Sequence, residues 1–325
     1  MRILYGLVFF TSLFTFAQGP QKVDPEILKS PKYYNQHLLS CQKDLLEEAK
    51  SEVVDIPDNA YTRKVFSTIK KHYNRQLSSY DKQMAVNNPS FFIKLKSLKK
   101  KAYLFSEEFC TKNMQGSDMG NAVYHFIFSM LTSIYGRGTG EGTACRFSTG
   151  HEVIYDDPKK GFKPPKQGPI EGALYKQHIG ALHPHNSSAS MMDLINNAQG
   201  HEFERKYIVL ARHCNTYLDT RVKADAQAKR ELEANGTSTD ELARHAAREK
   251  WMSIYLRQQF RSVQKNPCKE IFNRIMRGKK KSDPKLVFYQ GNADQCEKAQ
   301  LSKSLERDKL RAERTRHPAA VVATE

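Results

Sequence analysis

Apolar positions recur at helical spacing over most of this chain. Tyr34 to Lys50 places Leu38, Cys41, Leu45 and Leu46 on one stripe, and Asn59 to Tyr80 does the same with Tyr61, Val65, Ile69 and Tyr73. Asn88-Pro89-Ser90 reads as a helix start, with Phe92, Leu95 and Leu98 inward and Lys99, Lys100 and Lys101 on a solvated face. The best-defined helix runs from about Met119 to Tyr135, with Ser117 or Asp118 as its cap. Val123, Phe126, Ile127, Met130, Leu131 and Ile134 give it so wide an apolar face that it belongs at the centre. His125 within it reads as a hydrogen-bonded core histidine.

From Gly136 to about Gly200 the pattern breaks into a loop-rich stretch with Asp156-Asp157-Pro158, Pro164-Pro165 and Gly168-Pro169. A stretch this long is more often functional than idle. His151 to Tyr155 (HEVIY) reads as a short strand and Met191 to Asn197 as a short helix. Helices then resume. Phe203 to Asp219 carries Tyr207, Leu210, Cys214 and Leu218, and Arg221 to Ala234 stops at Asn235-Gly236. Ser238 and Glu241 form a capping box for a helix to about Gln264, and Asn266-Pro267 opens another that ends at Gly278. Leu286 to Gln290 reads as a last strand, and from about Leu301 a charged helix gives way to a tail. The class is mainly α.

The N-terminus changes the picture of where the protein works. Met1-Arg2, an apolar run from Ile3 to Phe16, and Thr15-Phe16-Ala17 read as a signal peptide over residues 1–17. The expected destination is secreted or periplasmic, with no membrane anchor. Cys41, Cys110, Cys145, Cys214, Cys268 and Cys296 all follow it, an even number that suggests up to three disulfides with fifteen possible pairings. No CxxC pair occurs, so neither a cysteine-built zinc site nor a thioredoxin-type centre is expected, and no cofactor is called for. The net charge of +17 points to an anionic partner such as cell-wall polymer, lipid or nucleic acid.

The oddest segment is Tyr135-Gly136-Arg137-Gly138-Thr139-Gly140-Glu141-Gly142-Thr143, with glycine at alternate positions directly after the central helix. Glycine removes side-chain bulk and lets backbone approach a neighbour or a ligand closely. The case for a phosphate loop is weak, because no strand leads in and no Gly-Lys-Ser/Thr follows. A lone glutamate in such a wall would be poorly solvated, which keeps a carboxyl protonated, as a general acid for glycosidic cleavage requires.

A mainly α, disulfide-bearing chain whose central helix ends at Glu141-Gly142-Thr143 resembles the lysozyme-like superfamily, which includes goose-type lysozymes and lytic transglycosylases. The likeness covers roughly residues 105 to 219, and is looser to secreted lysozymes that act on N-deacetylated cell wall. It implies a lysozyme-like α domain with a small β/loop wall and extra helices at both ends. The parts would be an N-terminal helical extension (18–104), a catalytic domain (105–280) and a basic tail (281–325). It implies a monomeric glycoside hydrolase on peptidoglycan glycan strands and an anionic wall surface. Glu141 would be its general acid, and Tyr135, Gly138, Gly140, Thr143 and Tyr155 would bind substrate. The GRGTG insertion before the glutamate departs from the family's pattern.

Two rivals stand beside it. One is a basic envelope binding protein that docks an anionic polymer through Lys99 to Lys101 and Lys279 to Lys281. The other is a secreted metal-dependent nuclease using His183, His185 and Asn186, with His178, His201 and Glu202 nearby. Ser148 and Thr149 lack a nucleophile-elbow motif.

Overall fold

The computed structural model describes residues 19–51, 59–72, 84–110, 118–137, 141–153, 188–236, 241–259, 266–280, 282–291, 296, 298, 301–302 and 305. The expected signal peptide, the histidines His178, His183 and His185, Gly138, Gly140, Tyr155 and the end of the tail lie outside them. The described chain is mainly helical. In order it forms α1 (Pro25–Lys29), α2 (Pro31–Tyr34), α3 (Ser40–Ser51), α4 (Ala60–His72), α5 (Pro89–Phe109) and α6 (Met119–Gly136). Then come α7 (Glu141–Val153), α8 (Ser188–Lys206), α9 (Ile208–Ala234), α10 (Glu241–Gln259) and α11 (Pro267–Arg277). Two short strands, β1 (Gln21–Lys22) and β2 (Val287–Phe288), pair in parallel.

The helix starts follow local chemistry. Asn88 accepts from the Phe91 N–H at 3.4 Å with Pro89 in the first turn, and Asp118 accepts from the Asn121 N–H at 2.8 Å. Asn266 accepts from the N–H groups of Cys268 and Lys269 at 3.0 and 3.2 Å, and α11 ends at Gly278 with φ 46°.

α6 is the central helix that its apolar face requires, with Val123, Phe126, Ile127 and Met130 fully covered. α5, α7, α8 and α9 pack around it. Phe91 of α5 stacks on Phe147 of α7 with centroids 4.3 Å apart, a pair that contributes about 0.5–1.5 kcal/mol beyond its buried area. α8 is covered almost all round, and Asn196 fastens β2 to it by bonds to both backbone groups of Val287 at 2.9 and 3.0 Å.

Three disulfides select one of the fifteen pairings: Cys41–Cys145, Cys110–Cys296 and Cys214–Cys268. The first two join residues of all three parts named from the sequence. One hydrophobic core likewise runs from Val23 to Cys296.

Tertiary contacts revise several local expectations. His151 to Val153 complete α7 instead of forming a strand, and this brings the half-buried Glu152 beside His125 of α6 and Asp193 of α8. The helix expected over residues 203 to 219 breaks at Tyr207. There the ring lies 4.6 Å under the Arg274 guanidinium and the hydroxyl meets Ser282 at 2.5 Å. Beyond the break α9 continues unbroken to Ala234. Tyr61 is exposed, not inward. Lys101 leaves the expected basic face: it is buried, bonded to Asp219 and Asn215, both at 2.7 Å. Burial pulls its ammonium below the usual lysine range, against the pull of Asp219.

Gly200 marks the closest approach of α8 to α6. A Cβ there would meet the Phe126 carbonyl oxygen at 2.2 Å and the Met130 nitrogen at 3.0 Å. Gly200→Ala should therefore lower folding stability by about 1–3 kcal/mol in urea titration, despite alanine's better helix propensity. An unchanged midpoint would mean that the two helices can part at little cost.

Candidate functional site

α6 and its C-cap residue Arg137 carry a polar stripe at four-residue spacing: Asn121, His125, Ser129, Ser133 and Arg137. α8 answers with Asp193, Asn197, His201 and Glu204. Asn121 donates to Asp193 Oδ1 at 3.1 Å, and His125 Nε2 lies 3.3 Å from Asp193 Oδ2. Ser129 donates to Asn197 at 2.7 Å, Ser133 bonds His201 Nδ1, and Arg137 grips Glu204 through two bonds of 2.7 and 2.9 Å. Residue numbers rise together, so α6 and α8 run parallel. The seam spans about 24 Å at helical rise. α7 runs the other way and closes it: Asn197 donates to the Ser148 carbonyl at 3.1 Å, and Ser148 Oγ lies 2.6 Å from His201 Nε2.

The seam has a direction. Ser148 gives its single hydroxyl proton to the Cys145 carbonyl at 3.2 Å, so it accepts the Nε2–H of His201. That tautomer leaves Nδ1 as the acceptor for the Ser133 hydroxyl. Burial pushes the His201 imidazole down to about 4, so it is neutral near pH 7.

One end of the seam opens into a cleft of about 520 Å³. Ser133, Gly136 and Arg137 of α6, Gly142 and Cys145 of α7, His201, Glu202 and Glu204 of α8, and Ser40 and Asp44 of α3 line it. The two described glycines of the unusual segment have different reasons. At Gly136 a Cβ would meet that of Ala144 at 2.7 Å, so glycine lets α7 turn back tightly against α6. At Gly142 a Cβ would meet no protein atom within 4 Å, so that face is open to the cleft.

The glutamate of that segment is not in a loop beyond the central helix. Glu141 is the first residue of α7, a helix that the glycine-rich pattern concealed. Thr143 is half-buried in the first turn of α7, and Tyr135 is exposed, edge-on to Phe91 with Lys94 Nζ 5.7 Å from its ring. Neither lines the cleft. His201 and Glu202 do line it, though as parts of α8 and not of a loop.

The other end of the seam is closed. His125, Glu152 and Asp193 come from three different helices, and their ligand-type atoms all lie within 4.8 Å of one another. Burial, and then the Glu152 charge, push the Asp193 carboxyl well above the usual carboxylate range. His125 is a core histidine, and its Nε2 faces the Asp193 carboxyl. The four-residue recurrence of polar side chains on α6 was the signal for this seam.

Comparisons with family models, with curated proteins and with solved structures return no match. The lysozyme-like likeness therefore rests on this chain's own residues.

The lowered His201 imidazole has a signed consequence. The unfolded state takes up a proton near 6.5 and the folded state only near 4, so stability falls as pH drops through that window. The loss is about 3 kcal/mol over the window. Asp193, with its raised carboxyl, acts in the opposite sense. Unfolding titrations from pH 7 to 4 on wild type and His201→Gln should show the steeper loss in wild type. Equal slopes would place the imidazole in contact with solvent protons.

Proposed function

We propose that this chain is an exported, monomeric glycoside hydrolase that cuts peptidoglycan strands bound in the glycine-rimmed cleft. The observation that carries the reading is the cleft itself: Gly136, Arg137 and Gly142 of the glycine-rich segment line it, with the Gly142 face open and carboxylates of α3 and α8 around it. The net charge of +17 would hold the enzyme on an anionic wall. Three disulfides fit an oxidising compartment, and no helix among the described residues is long and apolar enough to cross a membrane.

Glu141 is the catalytic carboxylate of this proposal. The first turn of a helix favours a negative charge, so its position suits stabilisation of the positive sugar at the transition state. The proton for the leaving oxygen would then come from a second carboxyl, for which Glu202 on the cleft wall is the candidate. A second reading has one observation behind it: Ser133 is on the cleft wall and its hydroxyl donates to Nδ1 of neutral His201, the arrangement of a base-activated nucleophile. The first-turn N–H groups of α7 would face the developing oxyanion of an acyl transfer.

Wall lysis by the mature protein decides between them. On native and N-deacetylated peptidoglycan, Glu141→Gln and Glu202→Gln should each fall by about 100-fold or more, with Ser133→Ala near wild type. Product analysis for an anhydro sugar separates a lytic transglycosylase from a hydrolase. Full activity in folded Glu141→Gln sinks the glycosidase reading; loss of aryl-ester cleavage in Ser133→Ala alone would put the acyl hydrolase in its place.

A further inference from the structure

We infer that His125, Glu152 and Asp193 form a binding site for one divalent first-row cation of the Zn²⁺ or Mn²⁺ type. It lies at the closed end of the seam, apart from the cleft, and does not rest on the glycosidase reading. The donor set is one imidazole nitrogen and two carboxylates, which suits these ions and neither a soft thiolate metal nor an all-oxygen Ca²⁺ site. The spacing fits: donors held 2.0–2.1 Å from a tetrahedral ion lie about 3.3–3.4 Å apart. His125 Nε2 and Asp193 Oδ2 already stand 3.3 Å apart, and the whole set is within 4.8 Å. A contraction of about 1 Å at Glu152 would complete three ligands around an ion.

Charge argues the same way. Two carboxylates held this close repel, and burial leaves the ionised form of Asp193 poorly solvated. A divalent cation with two carboxylates and a neutral imidazole leaves the position with no net charge. Asn121 supplies an outer partner: its amide donates to Asp193 Oδ1 at 3.1 Å, which leaves Oδ2 directed toward His125. The three ligands belong to α6, α7 and α8, so the ion would pin the ends of all three. Glu152 is one residue from the end of α7 and Asp193 five residues into α8.

The test uses the mature, disulfide-bonded chain stripped with chelator and then titrated with ZnCl₂ or MnCl₂ in a calorimeter. One ion per chain is expected, with a thermal midpoint that rises on addition and falls again with chelator. His125→Ala and Asp193→Asn should abolish the high-affinity event, and Asn121→Ala should weaken it about 10–100-fold. Glu202→Gln, at the cleft, should leave it unchanged. CoCl₂ added to wild type gives a second readout that needs no variant: intense visible d–d bands report a low-symmetry nitrogen–oxygen site, and weak octahedral ones would report exposed binding. No saturable binding in wild type, or the same binding in folded His125→Ala and Asp193→Asn, overturns the proposal and assigns any uptake to surface histidines.

Discussion

Polar side chains enclosed between packed helices must satisfy one another, because no water is available to do it. The seam between α6 and α8 is organised by that constraint. Gly200 brings the two backbones within contact distance, and the polar pairs at four-residue intervals then have short, defined partners. A slip of one helix by a turn would leave a serine facing an acid and a guanidinium facing an imidazole. The apolar core would tolerate such a slip, since hydrophobic contact is not directional. The polar pairs would not, and they fix the register.

Everything assigned to function hangs from this register. The open end of the seam sets Arg137 on Glu204 and presents Ser133 and His201 to the cleft. The closed end gathers His125, Glu152 and Asp193. α7 is common to both, because it runs antiparallel to its neighbours and brings its first turn to the cleft and its last to the cluster. Cys41–Cys145 ties α7 to α3, which supplies a further wall of the cleft. By chain-entropy arguments a closed loop of this size contributes about 4–5 kcal/mol.

The periphery has its own buried polar pieces. Arg221 pairs with Glu108 beside the Asn266 amide, and Lys101 is bonded to Asp219 and Asn215. Each joins α5 to α9. Removing one partner of such a pair leaves a covered charge, and costs more than the pair contributes net. The lysines that local pattern assigned to a polymer-binding face are correspondingly fewer: Lys101 is inside, Lys99 rests 5.6 Å over the Phe128 ring and Lys100 faces Asp225 at 3.8 Å. Lys279 and Lys280 remain exposed.

The sequence alone determined the helical class, the centrality of α6, the helix starts near Asn88, Asp118 and Asn266, and the capacity for up to three disulfides. These follow from spacing, from side chains that bond their own neighbours, and from cysteine parity, all local quantities. It also singled out the glycine segment as a place of close approach. It did not determine that α7 exists, because glycine, threonine and a β-branched end all argue against a helix in isolation and only packing against α3, α6 and α8 overrides them. Nor did it determine that His125, Glu152 and Asp193 meet, since their approach depends on the direction in which three helices pack. Directions and pairings between distant segments are properties of the folded chain: they require the close contact at Gly200, and no periodicity along one helix encodes its partner.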